Sequence, residues 1–272
     1  MVLRIPNQLE LGAGYETLLA HRLLKTEPRA KANPHTLSID IGGTGIKMIV
    51  LDETGKPVNE RTRTLTPHPA TPAAVMAIIT EMVAQQPAFD RVSVGFPGVV
   101  KSGVVMTAPN LGSDFWHEYP LAQSVRELVK CPVHAINDAN LQGYGVITGK
   151  GVEIVITLGT GFGFALFSDG HLVPNVELGH HPWKKEQTYE DRLRDSELKE
   201  IGKKRWSKRV FEALELLSFI FNYDVVYLGG GNVEHLKGEF AANMKTFTNV
   251  EGMTGGVKVW SADLPLVAEQ SA

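Results

Sequence analysis

The stretch SIDIGGTGIK, residues 38–47, joins an alternating apolar run to a turn that contains three glycines. The alternation predicts a strand over residues 36–41, and residues 46–51 predict its hairpin partner. Such a turn is typical either of a plain hairpin loop or of a loop whose backbone N–H groups hold phosphate. Its spacing excludes the Walker phosphate loop and the dinucleotide-binding G-x-G-x-x-G pattern, so both interpretations stay open for this stretch alone.

A second stretch, TLGTGFG at residues 157–163, repeats the order of apolar strand, Gly-Thr-Gly turn and returning apolar strand. A plain hairpin does not require this second copy, whereas a polyanion held between two lobes needs donor groups from each lobe. The repeat therefore favours a two-sided phosphate site. A third glycine turn, YLGGGN at residues 227–232, predicts another close backbone approach, at the start of a helix near Asn232.

Side chains beside the first turn add to this predicted phosphate site. Thr44 supplies a hydroxyl donor and Lys47 a positive charge, while Asp40 either holds a metal-bound water or orders the turn. The predicted donor-binding residues of the two turns are Asp40, Gly42, Gly43, Thr44, Gly45, Lys47, Gly159, Thr160 and Gly161.

The stretch INDAN puts Asn137 and Asp138 where a predicted strand ends and a helix begins. Asn and Asp are preferred helix N-caps, so a capping role is one interpretation. The other is a general base, because a carboxylate at this position is suited to accept the proton of an attacking hydroxyl.

The stretch VELGHHP contains Glu177, His180 and His181, and APNLG contains Asn110 in a proline-containing loop. The acid and the histidines are typical of polar surface residues, of a metal pair, or of a site that binds sugar hydroxyls. No thiolate is close in sequence, because Cys131 is the single cysteine, so metal binding has weak support.

The stretch GKKRWSKRV at residues 202–210 carries five basic residues around Trp206. A solvated helix face and a docking track for a long polyanion both fit this composition. The residues of the candidate polyphosphate track are Lys203, Lys204, Arg205, Lys208 and Arg209.

Composition narrows the classes of protein. The 272 residues carry 27 Lys+Arg against 30 Asp+Glu, a net charge of −3, which does not favour nucleic-acid or membrane-surface partners. One cysteine excludes a disulfide framework and a multi-thiolate zinc cluster, and neither a signal peptide nor a membrane-spanning run is evident. We expect a cytoplasmic protein, with residues 1–35 as an N-terminal extension and residues 261–272 as a tail.

Seven motifs in order resemble the ROK sugar kinases, over residues 37–232: DIGGTGIK, VGFPGVV, APNLG, NDAN, TLGTGFG, ELGHHP and YLGGGN. The region from ELGHHP to GKKRWSKRV looks most like the polyphosphate glucokinase branch. The resemblance implies an α/β, actin-like ATPase fold with two ribonuclease-H-like lobes around a central cleft. We assign the lobes to residues 36–137 and 138–260. Many ROK kinases carry a cysteine-rich zinc motif that this chain lacks, so no structural zinc is expected.

The resemblance also implies roles for individual residues. Asp138 matches the family's catalytic base, and Asn110, Asn137, Glu177 and His180 match positions that bind sugar hydroxyls. The two Gly-Thr-Gly turns match phosphate-holding turns with Mg²⁺ nearby. The turn that matches the position of adenosine in ATP-using relatives consists of Gly229, Gly230 and Gly231.

We therefore expect a glucokinase that uses polyphosphate, ATP or both, with glucose and the donor as its ligands and a second copy as its partner in a homodimer. Two alternatives stay open. One is an ATP-only ROK hexokinase for another hexose or an N-acetylhexosamine. The other is a non-catalytic ROK-like sugar-binding regulator; a DNA-binding role is not expected, because the N-terminal extension is too short for a winged-helix domain.

Overall fold

The structure, a computed structural model, describes residues 33–262. Most of the predicted N-terminal extension and of the predicted tail lies outside this range. Within residues 33–262, no helix has the length and apolar character needed to cross a membrane.

Fourteen strands and nine α-helices follow one another along this range. The strands are β1 (Thr36–Ile41), β2 (Ile46–Leu51), β3 (Thr62–Thr64), β4 (Arg91–Phe96), β5 (Val100–Lys101), β6 (Val104–Val105), β7 (Val133–Asn137), β8 (Val152–Leu158), β9 (Phe162–Ser168), β10 (His171–Val173), β11 (Pro182–Lys184), β12 (Gln187–Thr188), β13 (Val225–Gly229) and β14 (Met244–Thr246). The helices are α1 (Pro72–Val83), α2 (Ser113–Trp116), α3 (Leu121–Val129), α4 (Asp138–Val146), α5 (Tyr189–Leu193), α6 (Asp195–Ile201), α7 (Lys203–Phe221), α8 (Asn249–Met253) and α9 (Gly255–Lys258). Short 3-10 helices span Leu178–His180, Val233–His235 and Val259–Ser261.

Two five-stranded sheets have the same strand order. The first is β3-β2-β1-β4-β7 and the second is β10-β9-β8-β13-β14. In each sheet the first three strands in sequence are antiparallel, and the last two add parallel to the first. The repeat that the two glycine turns predict from sequence is therefore a repeat of the whole sheet.

Each sheet has its own apolar core. The first core contains Leu37 and Ile39 of β1 together with Val75 and Ile79 of α1, all fully buried. In the second core, the apolar face of α7 packs against β8 and β13, and the indole N–H of Trp206 donates to the Leu193 carbonyl at 2.9 Å. Trp206, which lies within the basic cluster of the sequence, is thus a core residue.

The C-terminal helices pack on the first sheet, although they follow the last strand of the second. The hydroxyl of Ser38 donates to the Met253 carbonyl at 3.0 Å, and that of Ser93 donates to the Gly256 carbonyl at 2.6 Å. A Cβ on Gly255 would collide with the Leu141 carbonyl, so only glycine permits this close crossing of α9 and α4. The lobe boundaries given above stay a prediction.

The charged stretch of residues 189–221 consists of three helices, because the backbone is extended at Arg194 and has φ +78° at Gly202. The helix start predicted near Asn232 is the start of a short 3-10 helix, Val233–His235, with Asn232 at its N-cap position.

Candidate active site

A cleft of about 450 Å³ opens between the two glycine turns. Residues 42–45 connect β1 to β2, and residues 159–161 connect β8 to β9. The turns approach closely, because a Cβ added at Gly43 would lie 3.5 Å from Cγ2 of Thr160 and 3.6 Å from Cβ of Asn110. The repeated element thus supplies one wall of the cleft from each sheet.

The first turn is closed by a hydrogen bond from the Gly42 N–H to the Gly45 carbonyl at 3.1 Å. Directly behind it, Lys47 on β2 lies opposite Asp40 on β1, and its Nζ donates to Asp40 Oδ2 at 2.7 Å. The Asp40 side chain is 7% exposed and that of Lys47 is 20% exposed, so the pair is largely withdrawn from water. Two roles were considered for Asp40, holding a metal-bound water and ordering the turn. The structure shows Asp40 paired with Lys47 at the base of the turn, which agrees with the second role.

The second turn is tied to the third. Its Gly159 N–H donates to the Gly161 carbonyl at 3.1 Å. The Gly159 carbonyl in turn accepts from the backbone N–H of Asp195 at 2.9 Å and from Nδ2 of Asn232 at 3.3 Å. Helix α6 and the third glycine turn therefore fix the orientation of the Gly159 peptide.

Asp138 is the first residue of α4 and lines the cleft. Its Oδ1 accepts from the N–H of Ala139 at 2.7 Å. Burial raises the pKa of Asp138 to about 8, and the negative charges of Asp40 and Glu177 act in the same direction, against the Ala139 hydrogen bond and the charge of Lys47. A carboxyl group with this pKa exchanges its proton near neutral pH, as a general acid–base catalyst requires.

The two interpretations of the NDAN stretch apply to different residues. Asn137 is the helix N-cap, because its Oδ1 accepts from the Asn140 N–H at 3.1 Å. Its Nδ2 donates to the Gly98 carbonyl at 3.2 Å and lies 3.4 Å from Glu177 Oε1. Asn137 thus holds the start of α4 and the Glu177 carboxylate in place, and Asp138 remains directed to the cleft.

Polar side chains that were predicted to bind sugar also meet in the cleft. Glu177 Oε2 lies 3.8 Å from Nε2 of His180, and burial raises the pKa of Glu177. A Cβ at Gly161 would lie 2.9 Å from Nδ2 of Asn110 and 2.6 Å from Oε2 of Glu190. These carboxylates, the amide and the imidazole form a set of donors and acceptors suited to several hydroxyl groups.

Some predicted residues do not reach the cleft. Gly229 ends β13, and the space beside its Cα is filled by the ring of Phe247, whereas Gly230 and Gly231 line the cleft. None of the five residues of the candidate polyphosphate track is among the residues that line the cleft. Within that cluster, Arg209 is paired with Glu197.

Several cleft residues were missed at the level of sequence. Arg63 lies on β3 and Arg61 directly precedes that strand, and Glu190 and Asp195 come from the starts of α5 and α6. The remaining missed residues that line the cleft are Pro97, Gly98, Pro109, Gln142, Thr157, Phe162, Gly163, Asn232 and Asn249. Thr157 could have been predicted from the hairpin repeat, because it precedes the first glycine of its turn by two residues, as Asp40 does in the first turn.

The site fits Mg²⁺ better than a metal that needs a full set of protein ligands. No group of three or more His, Cys, Asp or Glu residues suited to a metal ion occurs in the part of the chain that the structure describes. Asp40 and Asp138 both line the cleft, and the charge of one raises the pKa of the other. One or two carboxylates together with substrate phosphates are the usual ligands of Mg²⁺.

Comparisons with known proteins agree with this geometry. The sequence model of the ROK family matches residues 36–189. The polyphosphate glucokinase of Mycobacterium tuberculosis (strain H37Rv) is 34% identical over 215 residues, which are 75% of this chain and 80% of that protein. The N-acetylmannosamine kinase of Escherichia coli (strain SE11) is 31% identical over 154 residues, which are 53% of this chain and 52% of that protein.

Solved structures show the same architecture. The inorganic polyphosphate/ATP-glucomannokinase of Arthrobacter sp. strain KM has a TM-score of 0.75 at 29% identity, covering 84% of this chain and 98% of that one. A ROK family glucokinase from Streptomyces griseus, in complex with glucose and AMPPNP, has a TM-score of 0.71 at 21% identity, covering 83% of this chain and 98% of that one. The predicted α/β, actin-like fold is thereby confirmed.

Proposed function

The chain belongs to the ROK family and is a phosphotransferase, and from this premise we propose that it transfers a phosphoryl group from inorganic polyphosphate or ATP to the 6-hydroxyl of glucose. The observation that carries the proposal is Asp138. Its carboxyl group lies in the same cleft as the two glycine turns and the sugar-binding candidates, and its pKa is raised to about 8.

In this proposal Asp138 accepts the proton of the sugar hydroxyl as that hydroxyl attacks the donor phosphorus. A positioned base typically contributes about 10²–10⁴-fold to such a rate. The Ala139 N–H that donates to Oδ1 at 2.7 Å fixes the carboxylate, so its orientation does not have to be found during the reaction.

On the donor side, the backbone N–H groups of the two glycine turns and the Lys47 ammonium bind the phosphoryl oxygens. Glycine permits this approach because no Cβ occupies the space, as the open surroundings of Gly159 illustrate. Mg²⁺ would be held by Asp40 together with the donor phosphates, and when bound it would neutralise charge on the phosphate oxygens, which leaves Asp138 free to act as the base.

On the sugar side, Asn110, Asn137, Glu177 and His180 bind hydroxyl groups, and Glu190 adds a further acceptor beside Gly161. Buried donors and acceptors that lose a hydroxyl partner are left unpaired, and for this reason such a site rejects analogues. We propose glucose as the acceptor because relatives named for glucose phosphorylation match most of the chain.

A second candidate is an ATP-only kinase for another hexose or for an N-acetylhexosamine. It is favoured by the similarity to the Escherichia coli N-acetylmannosamine kinase. The two candidates share the base and the phosphate site, and they differ in donor and acceptor.

The experiment that separates them is a matrix of donors and sugars with Mg²⁺ present. Initial rates are measured with long-chain polyphosphate and with ATP, each against glucose, mannose, N-acetylmannosamine and N-acetylglucosamine. We expect the highest rate with glucose and appreciable transfer from polyphosphate. Transfer from ATP alone with a sugar other than glucose as the best acceptor would support the second candidate, and no transfer from either donor would contradict both.

A further inference from the structure

Three side chains form a charged row across the edge of the first sheet. Asp40 pairs with Lys47 across β1 and β2, and Lys47 pairs with Arg63 across β2 and β3. Directly opposite residues in antiparallel strands project on the same face and interact. The row therefore contains two adjacent positive charges and one carboxylate.

Arg63 has no counter-charge of its own. Its Nη2 lies 3.4 Å from the Thr44 carbonyl, and a Cβ on Gly45 would lie 2.7 Å from its Nε, so the guanidinium lies against the first glycine turn. Arg61 is two residues earlier, directly before β3, and both arginines line the cleft and are exposed. Over residues 33–262, no ion pair is formed by either guanidinium.

Two like charges in neighbouring positions destabilise a sheet unless an anion compensates them. Asp40 already pairs with Lys47, so it does not compensate the arginines as well. Guanidinium groups bind phosphate through two parallel hydrogen bonds, and this favours phosphate as the anion that compensates the arginines.

The basic cluster at residues 203–209 offers a rival path for a polyanion, but its geometry is less suitable. Lys203, Lys204, Arg205 and Lys208 are exposed and do not line the cleft. Arg209 is half-buried and paired with Glu197. A polyphosphate molecule whose terminal phosphate lies between the glycine turns contacts Arg61 and Arg63 first, because these residues line the same cleft.

We propose that Arg61 and Arg63 form a subsite for the phosphates of the donor that lie beyond the transferred group. The ligand class is a linear polyanion with repeated phosphates. This inference rests on the proposed function and deepens it, because it gives the donor a direction out of the cleft, past β3.

The test measures binding of long-chain polyphosphate without glucose, by titration calorimetry at several salt concentrations. For a flexible polyanion, the slope of log K against log salt falls by about 0.7 for each phosphate contact removed. The double variant Arg61→Gln/Arg63→Gln should therefore lower the slope by about 1.4 and weaken binding at low salt. The control Lys101→Gln/Lys150→Gln removes the same charge from exposed positions that do not line the cleft.

The rival path is tested with Lys203→Gln/Lys204→Gln/Lys208→Gln. A slope lowered in the arginine variant, and not in the lysine control, supports the subsite. A wild-type slope in the arginine variant overturns it, as does a slope lowered only in the triple variant or a wild type that does not bind polyphosphate. Thermal unfolding of each variant checks that the fold is retained.

Failure of the subsite and failure of the proposed function give different results. If the wild type makes sugar phosphate from polyphosphate and the arginine variant has an unchanged KM for the donor, the subsite is wrong and the function stands. If polyphosphate binding depends on the two arginines but no sugar is phosphorylated, the subsite stands and the proposed function is wrong.

Discussion

Lys47 and Asp40 lie directly opposite each other on adjacent strands, and their side chains are joined by a hydrogen bond of 2.7 Å at the base of the first glycine turn. The charge of Asp40 raises the pKa of Asp138, and the charge of Lys47 lowers it. The pair therefore connects the phosphate-binding turn to the proposed base, and a change at Lys47 should alter the titration of Asp138.

Replacing Lys47 by methionine should shift the pH dependence of transfer. Without the ammonium, Asp138 keeps its proton to a higher pH, so the inflection of the pH–rate profile moves upward and the rate at neutral pH falls. The measurement is kcat/KM for the sugar across a pH series at saturating donor. Lys47→Arg keeps the charge and serves as the control. A loss of rate with an unmoved inflection would indicate that Lys47 acts only by binding phosphate.

The rate of phosphoryl transfer by the wild-type enzyme should depend on pH through the deprotonation of Asp138. The base is active when ionised, so kcat/KM should rise about tenfold per pH unit below the pKa and level off above it. The pKa of Asp138 is about 8, which puts the inflection near that pH. The profile is recorded in buffers of constant ionic strength. A profile that is flat from about pH 6 to pH 9 would contradict an essential base with this pKa.

Asp138→Asn should make the protein more stable at alkaline pH. The unfolded carboxyl group has a pKa of about 3.9, and the folded one has a pKa of about 8. Folding is favoured by this group below the unfolded pKa, and that advantage is lost as pH rises through the folded pKa. Asn does not ionise, so the variant should gain several kcal/mol at pH 8.5, because the folded and unfolded pKa values differ by about four units at about 1.4 kcal/mol each, and close to nothing at pH 4. Urea unfolding at both pH values measures the difference in the free energy of unfolding between the variant and the wild type. An equal difference at both pH values would show that the ionisation of Asp138 is not responsible.

Adding a methyl group to the glycine turns should separate a hairpin from a phosphate site. A Cβ on Gly159 meets nothing within 4 Å, and one on Gly43 meets Thr160 at ordinary contact distance. The free energies of unfolding of Gly159→Ala and Gly43→Ala should therefore lie within about 0.5 kcal/mol of the wild-type value. If phosphate occupies the space beside these backbones, transfer should fall at least about tenfold. Wild-type rates of phosphoryl transfer in both variants would show that the two turns are plain hairpins and not phosphate-binding loops.

Gly230→Ala is the contrasting change. Gly230 has φ +86°, and a Cβ there would collide with the Leu158 backbone. Strain of this kind costs about 1–3 kcal/mol, so this variant should lose stability whatever its effect on transfer.

Local patterns predicted much of the fold. The alternation before each glycine turn marked β1 and β8, because the period of two is a property of the strand itself. The repeat then indicated two lobes. The breaks at Arg194 and Gly202 were not predicted, since the charged stretch is continuous in composition and its division depends on backbone torsions and tertiary contacts.

The glycine run at residues 229–231 shows where sequence reasoning reaches its limit. Gly229 accommodates the Phe247 ring, Gly230 adopts a left-handed conformation against Leu158, and Gly231 has open space around it. The three consecutive glycines are thus required, or tolerated, for three different physical reasons, which the sequence alone does not distinguish. Arg61, Arg63 and Glu190 were missed for a related reason, because only the pairing of β2 with β3 and the packing of α5 bring them to the cleft.

The most direct test compares the wild type with Asp138→Asn in one ³¹P NMR assay, which contains glucose, Mg²⁺ and either polyphosphate or ATP and follows the formation of glucose 6-phosphate. Glucose binding by calorimetry confirms that the variant keeps its site. We predict that the wild type forms the product and that the variant binds glucose but loses at least about 10²-fold in turnover. Near-normal turnover by Asp138→Asn would contradict the assignment of the base.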